Sequence, residues 1–452
     1  MAQPNVLLIV LDAVRADHLT PYGYDRPTTP NLDAFARRAT RYDDAVAAAP
    51  WTPPSHAAMF TGRYPSNNGV YGLTPNLDPD QPHVAELLAD RGYATGGFSN
   101  SYHTSPQRGF DRGFDYYHDI LSLPRFRGTM YEPSLDFARH LYDYFVRDYD
   151  DSSFQLRRLC SWIDRIDRPF FGFINFNSAH SPYDPPTRFK SEFESYFDAW
   201  DAVDDSAAET LSDDAYAWML DEVRAGDPEW DLVKCWYDGE IRYLDSLLGT
   251  LFDGLRDRGL FEDTMVVVTS DHGEQFGEDG LVYHQFSLAE RLVNVPLLVK
   301  WPGQTSAETS DELVSLVDLA PSMVELATGE APPEMDGRSL RTGAEPEAVF
   351  AEYAGPSESI QRRFAERDGP FDDYDTGLQA VRTARHKLVR RTDGTATLYD
   401  ISDGTDRPID DDELAADLRS RLEAALGELP RREEGEDLSE HVESHLEEMG
   451  YL

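Results

Sequence analysis

A hydroxyl, two carboxylates and an imidazole stand where they could do chemistry: Thr52, Asp12, Asp271 and His272. Thr52 lies in the stretch Pro50-Trp51-Thr52-Pro53-Pro54-Ser55-His56-Ala57-Ala58-Met59-Phe60-Thr61-Gly62. Proline is tolerated in a first helical turn and glycine just past the last, so the run predicts a short helix entered from a loop. A hydroxyl placed there faces the positive end of the helix dipole, where an alkoxide or a bound oxyanion is stabilised. Most Thr-Pro-Pro-Ser stretches simply start helices. This one is distinguished by its company, upstream at Asp12 and far downstream at Asp271-His272.

Those residues need elements to hold them. The continuous apolar run from Asn5 to Leu11 ends at Asp12. Such runs are buried on both faces, as in a parallel sheet covered by helices, and ligands bind outside the carboxyl ends of its strands. Taken alone, Asp12 reads better as the cap of a helix from Ala13 to Ala16. Phe170 to Phe176 is a second buried strand, and it leads into Asn177-Ser178-Ala179-His180. Met265 to Thr269 is a third, running into Ser270-Asp271-His272-Gly273-Glu274.

Between these strands the sequence predicts helices from Leu32 to Ala39 and from Ala85 to Ala89, then a strand from Tyr93 to Phe98. An amphipathic helix from Tyr237 to Leu255 carries Ile241, Leu244, Leu248, Leu251 and Leu255 on one face. A strand from Val295 to Lys300 and a helix from Val314 to Ala327 follow. Residues 101–151 and 185–230 read as excursions around a pocket. Beyond about 340 come separated strand-like runs, Ala348 to Tyr353, Leu378 to Val389 and Thr395 to Ile401, and a helix near Leu414 to Leu426. Leu438, Val442, Leu446 and Met449 recur at helical spacing in the tail. The expected fold is α/β, with a mainly parallel central sheet flanked by helices and a smaller antiparallel α+β unit after it. The expected division is 1–340 catalytic, 341–430 smaller C-terminal domain and 431–452 acidic helical tail.

Composition narrows the functional classes. The 452 residues are enough for a large core and more than one domain. The formal net charge of -43 is spread along the whole chain rather than gathered in a tail. The lysines are Lys190, Lys234, Lys300 and Lys387, and every other basic side chain apart from histidine is arginine. A spread acidic surface keeps a protein soluble in a salt-rich cytoplasm, so a halophilic source is expected. No basic stripe exists, which argues against nucleic acid. Cys160 and Cys235 lie outside every motif and read as buried thiols rather than a disulfide. The start lacks a basic n-region and cleavage site, and no stretch reaches membrane-spanning length, which predicts a cytoplasmic protein.

With His180 and His284 added, the set resembles the sulfatase branch of the alkaline phosphatase superfamily, over nearly the whole chain. Thr29-Pro30-Asn31-Leu32-Asp33, Thr61-Gly62-Arg63-Tyr64-Pro65, Val314 to Pro321 and Asp336-Gly337-Arg338-Ser339-Leu340 also match. The resemblance implies that Asp12, Asp271 and His272 hold one divalent cation, with Thr52 as both nucleophile and metal contact. Carboxylate-rich sites with one imidazole suit Ca, Mg or Mn, and Zn is possible. His180 and His284 match positions that contact the transferred group or protonate the leaving oxygen. The expected substrate contacts are His56, Asn100, His180 and His284, and the substrate a small-molecule, glycan or lipid-head-group ester.

The departures bear on the chemistry. Formylglycine sulfatases carry Cys or Ser where this chain has Thr52, in a Cys-x-Pro-Ser-Arg pattern, and here His56 replaces the arginine. Threonine is not a formylglycine precursor. A threonine alkoxide attacking phosphorus, through a covalent phospho-threonine, is therefore an alternative to sulfate-ester hydrolysis. A non-catalytic, metal-stabilised binding module is a third reading, disfavoured because every expected ligand is present. Ala13 stands where many sulfatases have a second metal-binding Asp. Phe176 stands where two-metal relatives have another, so a single cation is expected. His56 either faces the substrate or points to solvent; the sequence fits both.

Overall fold

The computed structural model describes residues 3–72, 76–119, 151–366 and 374–427. The strands are β1 (Asn5–Leu11), β2 (Thr40–Val46), β3 (Ala94–Ser99), β4 (Tyr116–Asp119), β5 (Phe170–Phe176), β6 (Thr264–Thr269), β7 (Gln275–Phe276), β8 (Val282–Tyr283), β9 (Leu297–Lys300) and β10 (Glu308–Ser315). Then come β11 (Val349–Tyr353), β12 (Leu378–Arg382), β13 (His386–Arg391), β14 (Ala396–Asp400) and β15 (Arg407–Pro408). The large sheet has the order β10-β2-β9-β6-β1-β5-β3-β4, and only β9 runs antiparallel to its neighbours. β11 to β15 form a separate antiparallel sheet in sequence order.

β1 shows why its sequence demands the centre of this sheet. Leu7, Ile9 and Leu11 enter one apolar core and Val6, Leu8 and Val10 the other. Alternate side chains of a strand point to opposite faces, so a run without polar interruption needs a cover on both. Helices Asp151–Ile163 and Asp227–Asp257 supply the first cover, with Leu159, Leu244, Leu248 and Leu251. Helices Thr52–Thr61 and Leu319–Thr328 supply the second, with Met59, Phe60 and Met323. Each such fully buried side chain is worth about 1.5–3 kcal/mol.

Some elements differ from the sequence expectation. No helix follows Asp12: Ala13 takes a left-handed φ of 60° and a single 3-10 turn forms at Ala16–His18. The first helix is Pro30–Ala36, and the long helix begins at Asp227. Val314 and Ser315 end strand β10, so the helix expected there starts at Leu319, after a 3-10 turn at Leu316–Asp318. The run from Leu378 to Val389 is a hairpin rather than one strand. Cys235 is buried and Cys160 half-buried, both as free thiols. No described helix is long and apolar enough to cross a membrane. The expected tail helix lies outside the described residues.

His83 gives the second core a pH dependence. It caps helix Val84–Ala89, its Nδ1 accepting from Ala85 N at 3.2 Å, and it is buried against Phe60 and Phe114. Burial, with Arg112 nearby, lowers the imidazole from 6.5 to about 3. The unfolded chain thus takes up a proton below about 6.5 that the folded chain refuses until about 3. Stability is full above 6.5 and is lost as pH falls through that window, by up to about 1.4 kcal/mol per pH unit. His83→Asn keeps a capping acceptor without the titration. Its denaturation midpoint is expected to fall less steeply than the wild type's between pH 6.5 and 4.

Candidate active site

β1, β5 and β6 lie side by side and parallel, so the residues that follow them emerge together at one end of the sheet. Asp12 follows β1, Asp271 and His272 follow β6 by two and three residues, and Asn175 is the last residue but one of β5. One ligand atom each from Asp12, Asp271 and His272 lie within 4.8 Å of one another, all three residues buried.

The turn after β1 is fixed by crossing hydrogen bonds. Ala13 N donates to Asp271 Oδ1 at 3.3 Å and Val14 N to Ser270 Oγ at 2.9 Å. Tyr237, on the long helix, donates its hydroxyl to Ala13 O and accepts from Arg15 N, both at 2.8 Å. These contacts hold a non-glycine residue in the left-handed region, which costs free energy and persists only when its surroundings over-determine it. Asp271 Oδ1 is thus occupied by backbone N–H groups, His272 N among them at 3.0 Å. Its Oδ2 has no hydrogen-bond donor, and neither has Asp12 Oδ1.

His272 is set up as a ligand. Its Nδ1 lies 2.8 Å from Gly273 O, which assigns the proton to Nδ1 and leaves the Nε2 lone pair facing the cluster. Nε2 is 3.6 Å from Asp12 Oδ1, 3.5 Å from Asp271 Oδ2 and 3.4 Å from Thr52 Oγ1. Burial lowers the imidazole below its ordinary value, keeping the ring neutral. Burial and the neighbouring Asp271 push Asp12 up to about 6. Burial acts the same way on Asp271, but His272 and His56 outweigh it and hold that carboxyl well below the usual range. Two buried carboxylate oxygens without donors and an imidazole lone pair are the donor set of a divalent cation, and these residues fit one.

Thr52 is the first residue of helix Thr52–Thr61, and Gly62 ends that helix with φ 66°. Pro53 and Pro54 carry no N–H, so the first turn offers fewer donors than an ordinary helix start. Ser55 Oγ donates to Asp271 O at 2.7 Å, tying the helix to the loop after β6. His56 does not point to solvent. It is fully buried against Phe60 and Phe173, its Nδ1 3.0 Å from Thr52 O and 3.4 Å from Asp271 Oδ2. Burial opposes its protonation, but the Asp271 carboxylate beside it outweighs that and raises it above its ordinary value.

His180 and His284 reach the same place. Their ring centroids are 5.1 Å apart, and the His284 centroid is 4.3 Å from that of His272. His180 Nδ1 lies 2.8 Å from Ser181 O, leaving Nε2 for other partners. Burial, with His180 beside it, lowers His284 to about 3. The structure therefore gathers Asp12, Thr52, His56, His180, Asp271, His272 and His284. Asn100 follows β3 by one residue, at the same end of the sheet, and its amide oxygen accepts from Gln155 Nε2 on helix Asp151–Ile163.

Three further residues join: Asn175, which the sequence reading discounts as a metal ligand, and His103 and Glu274, to which it gives no role. Asn175 Nδ2 is 3.4 Å from Asp12 Oδ2, and an amide inside an otherwise apolar strand was its signal. His103, buried 6.3 Å from the Trp51 ring, stands within electrostatic reach of His180, His272 and His284. Glu274 is fully buried behind His284.

Gly273 lets the loop close. Its N donates to Leu292 O at 2.8 Å, and a Cβ added there would lie 1.9 Å from Arg291 O. A backbone carbonyl cannot swing away as a side chain can. Gly273→Ala is expected to displace His272 and Glu274 together, lowering both the unfolding midpoint and cation affinity. Thermal unfolding with and without the metal reads both.

A family model described as sulfatase matches residues 4–329, and one described as N-sulphoglucosamine sulphohydrolase, C-terminal, matches residues 277–431. The chain is 27% identical to human arylsulfatase A over 424 residues, covering 81% of this chain and 74% of that protein. Among solved structures it is similar to the phosphonate monoester hydrolase of Agrobacterium radiobacter, with a TM-score of 0.69, 21% identity and 99% and 96% of the two chains covered. It is also similar to a protein solved with its substrate D-glucosamine-2-N,6-O-disulfate, with a TM-score of 0.72, 19% identity and 94% and 97% covered. With the first model spanning well over half of its length, the chain belongs to the sulfatase family, the sulfuric ester hydrolases of the alkaline phosphatase superfamily.

Proposed function

We propose that this sulfatase hydrolyses a monoanionic ester, a sulfate ester first, with Thr52 as nucleophile and one divalent cation held by Asp12, Asp271 and His272. The observation that carries the reading is Thr52 Oγ1 at 3.4 Å from His272 Nε2, beside two carboxylate oxygens without donors. Sulfatase-family enzymes use a divalent metal, and a cation bound here would stabilise both a Thr52 alkoxide and the charge on the ester under attack. Thr52 Oγ1, its proton lost to water, then bonds to sulfur, the bond from sulfur to the leaving oxygen breaks, and that oxygen takes a proton from His284. Water next attacks the threonine ester and releases Thr52. His180 Nε2 orients the ester from the other side.

Charge supports a monoanion. Among the described residues no lysine or arginine pairs with Asp12 or Asp271, and burial holds His272 and His284 below their ordinary values. Two carboxylates against one dication leave about zero net charge, so an ester carrying one negative charge meets less repulsion than a phosphate monoester carrying two. Thr52 itself favours a second reading. A hydroxyl nucleophile without formylglycine serves phosphorus as readily as sulfur, so phosphodiester hydrolysis or transfer through phospho-threonine is the alternative.

The test is turnover of an aryl sulfate, a bis-aryl phosphate and an aryl phosphate monoester in molar KCl with Mg, Mn, Ca or Zn. Turnover of the sulfate is expected, with the monoester slowest, and EDTA is expected to abolish all of it. Activity that survives EDTA, or a preference for the monoester, overturns the reading. Sugar sulfates are the natural next panel, because one fold neighbour is solved with a disulfated glucosamine.

A further inference from the structure

Glu274 is a fully buried carboxyl that the mechanism above does not use. Its Oε2 accepts from Tyr183 OH at 3.0 Å, and its Oε1 accepts from Gln275 N at 3.3 Å and lies 3.4 Å from His284 Nδ1. The His284 ring thus stands between this carboxyl and the imidazole of His272. Both sides of the pair are anchored. Tyr183 exchanges hydrogen bonds with Ser212 through its own N and O, at 2.8 and 3.2 Å, and packs on Tyr237 and Phe276. The residue after His284, Gln285, accepts from Tyr353 OH at 3.0 Å, a contact from the second sheet. Gln275 and Tyr283 pair across the β7–β8 hairpin, which brings position 274 back to position 284.

We infer that Glu274 is a positioning residue: it holds the His284 ring with Nδ1 inward, so that Nε2 is the nitrogen presented to the leaving oxygen of the ester. The inference rests on the reading of His284 given above. A histidine ring can turn over and exchange its nitrogens at little cost in space, and a fixed carboxyl beside one nitrogen removes that freedom. In the step itself the Glu274–His284 pair begins with two protons, one on Nε2 and one on the Nδ1 side of the pair, where Nδ1 and Oε1 stand 3.4 Å apart without a hydrogen bond in this structure. As the bond from sulfur to the leaving oxygen breaks, its electron pair goes to that oxygen, which takes the Nε2 proton. The other proton stays on the Nδ1 side of the pair.

Glu274→Gln keeps shape and burial and changes the partner offered to Nδ1. Two measurements on the Mg-loaded protein test the inference. In 15N-histidine NMR, with the His284 signals identified by their loss in His284→Asn, Glu274→Gln is expected to shift the His284 ring nitrogens and leave those of His83 in place. In kinetics, Glu274→Gln is expected to slow hydrolysis of phenyl sulfate roughly 100-fold and that of 4-nitrophenyl sulfate only a few-fold, because a good leaving group needs little protonation. Adding it to His284→Asn is expected to cost nothing further. Unmoved His284 signals, an equal loss on both esters, or additive losses in the double variant would overturn it. Wild-type protein inert toward both esters would strike the function reading, and the NMR arm would still decide the role of Glu274.

Discussion

Thr52→Ala is expected to reduce kcat/KM on the best aryl ester by on the order of a thousand-fold or more, while the protein stays folded and still binds its cation. The residue is buried, but it contributes one methyl and one hydroxyl to a site held from elsewhere: by Tyr237 on the β1 turn, by Ser55 on Asp271 and by Gly273 on the facing loop. Its loss should therefore cost no more than about 1 kcal/mol of stability. Turnover depends on it differently, since no other hydroxyl among the described residues contacts His272 Nε2. Thr52→Ser keeps the nucleophile and is expected to retain turnover. The covalent step has its own signature. Rapid quenching during turnover should leave a sulfuryl or phosphoryl group on the peptide containing Thr52, absent from Thr52→Ala, and its mass identifies which ester the enzyme attacks. An alanine variant of undiminished activity would remove Thr52 from the mechanism and leave water as the attacking group.

The positions of these residues were legible in proportion to how far one strand determines them. β1, β5 and β6 are largely apolar because both faces are covered, and the site residues lie at or just past their ends. That is a local signal. β2, Thr-Arg-Tyr-Asp-Asp-Ala-Val, and the edge strand β10, Glu-Thr-Ser-Asp-Glu-Leu-Val-Ser, carry charge on their less covered positions and read as loops. Missing β10 is what turned Val314 and Ser315 into the start of a helix. The hairpin between β12 and β13 hides in one strand-like run because its turn, Thr383 to Arg385, is short. His56 was ambiguous for another reason. A first-turn residue faces solvent when its helix starts at the surface, and this helix starts inside, under the loop after β6. Glu274 and His284 were each visible but not as a pair, since only the β7–β8 hairpin joins them.

Lys387→Met is expected to destabilise the protein by about 3–5 kcal/mol, the cost of leaving buried carboxylates without their cation. Lys387 is fully buried in β13, and its Nζ reaches Glu290 Oε1 at 3.0 Å, Asp406 Oδ1 at 2.5 Å and Leu288 O at 2.8 Å. Arg382 in β12 completes the cluster, bonding Glu290 Oε2 at 3.0 Å and Asp44 Oδ1 at 2.6 Å. Burial pushes Glu290 up, but Lys387 and Arg382 outweigh it and hold the carboxyl below its ordinary value. Glu290 and Leu288 belong to the segment that follows His284, so the cluster ties the second sheet to the chain carrying a site histidine. Combining Lys387→Met with Glu290→Gln is expected to recover part of the loss, because no full charge is then left unpaired at that oxygen. Salt separates this cluster from the acidic surface. With a net charge of -43 the wild type should gain stability as KCl rises, since exposed charges are screened within about 3 Å at molar salt. Ions do not enter the buried cluster, so the gap between wild type and Lys387→Met, measured by chemical denaturation, should stay constant from low salt to molar KCl. A gap that closes with salt would mean that Lys387 acts through the surface field, and the tie between the two sheets would then rest on their other contacts, Arg382 to Asp44 and Tyr353 to Gln285 among them.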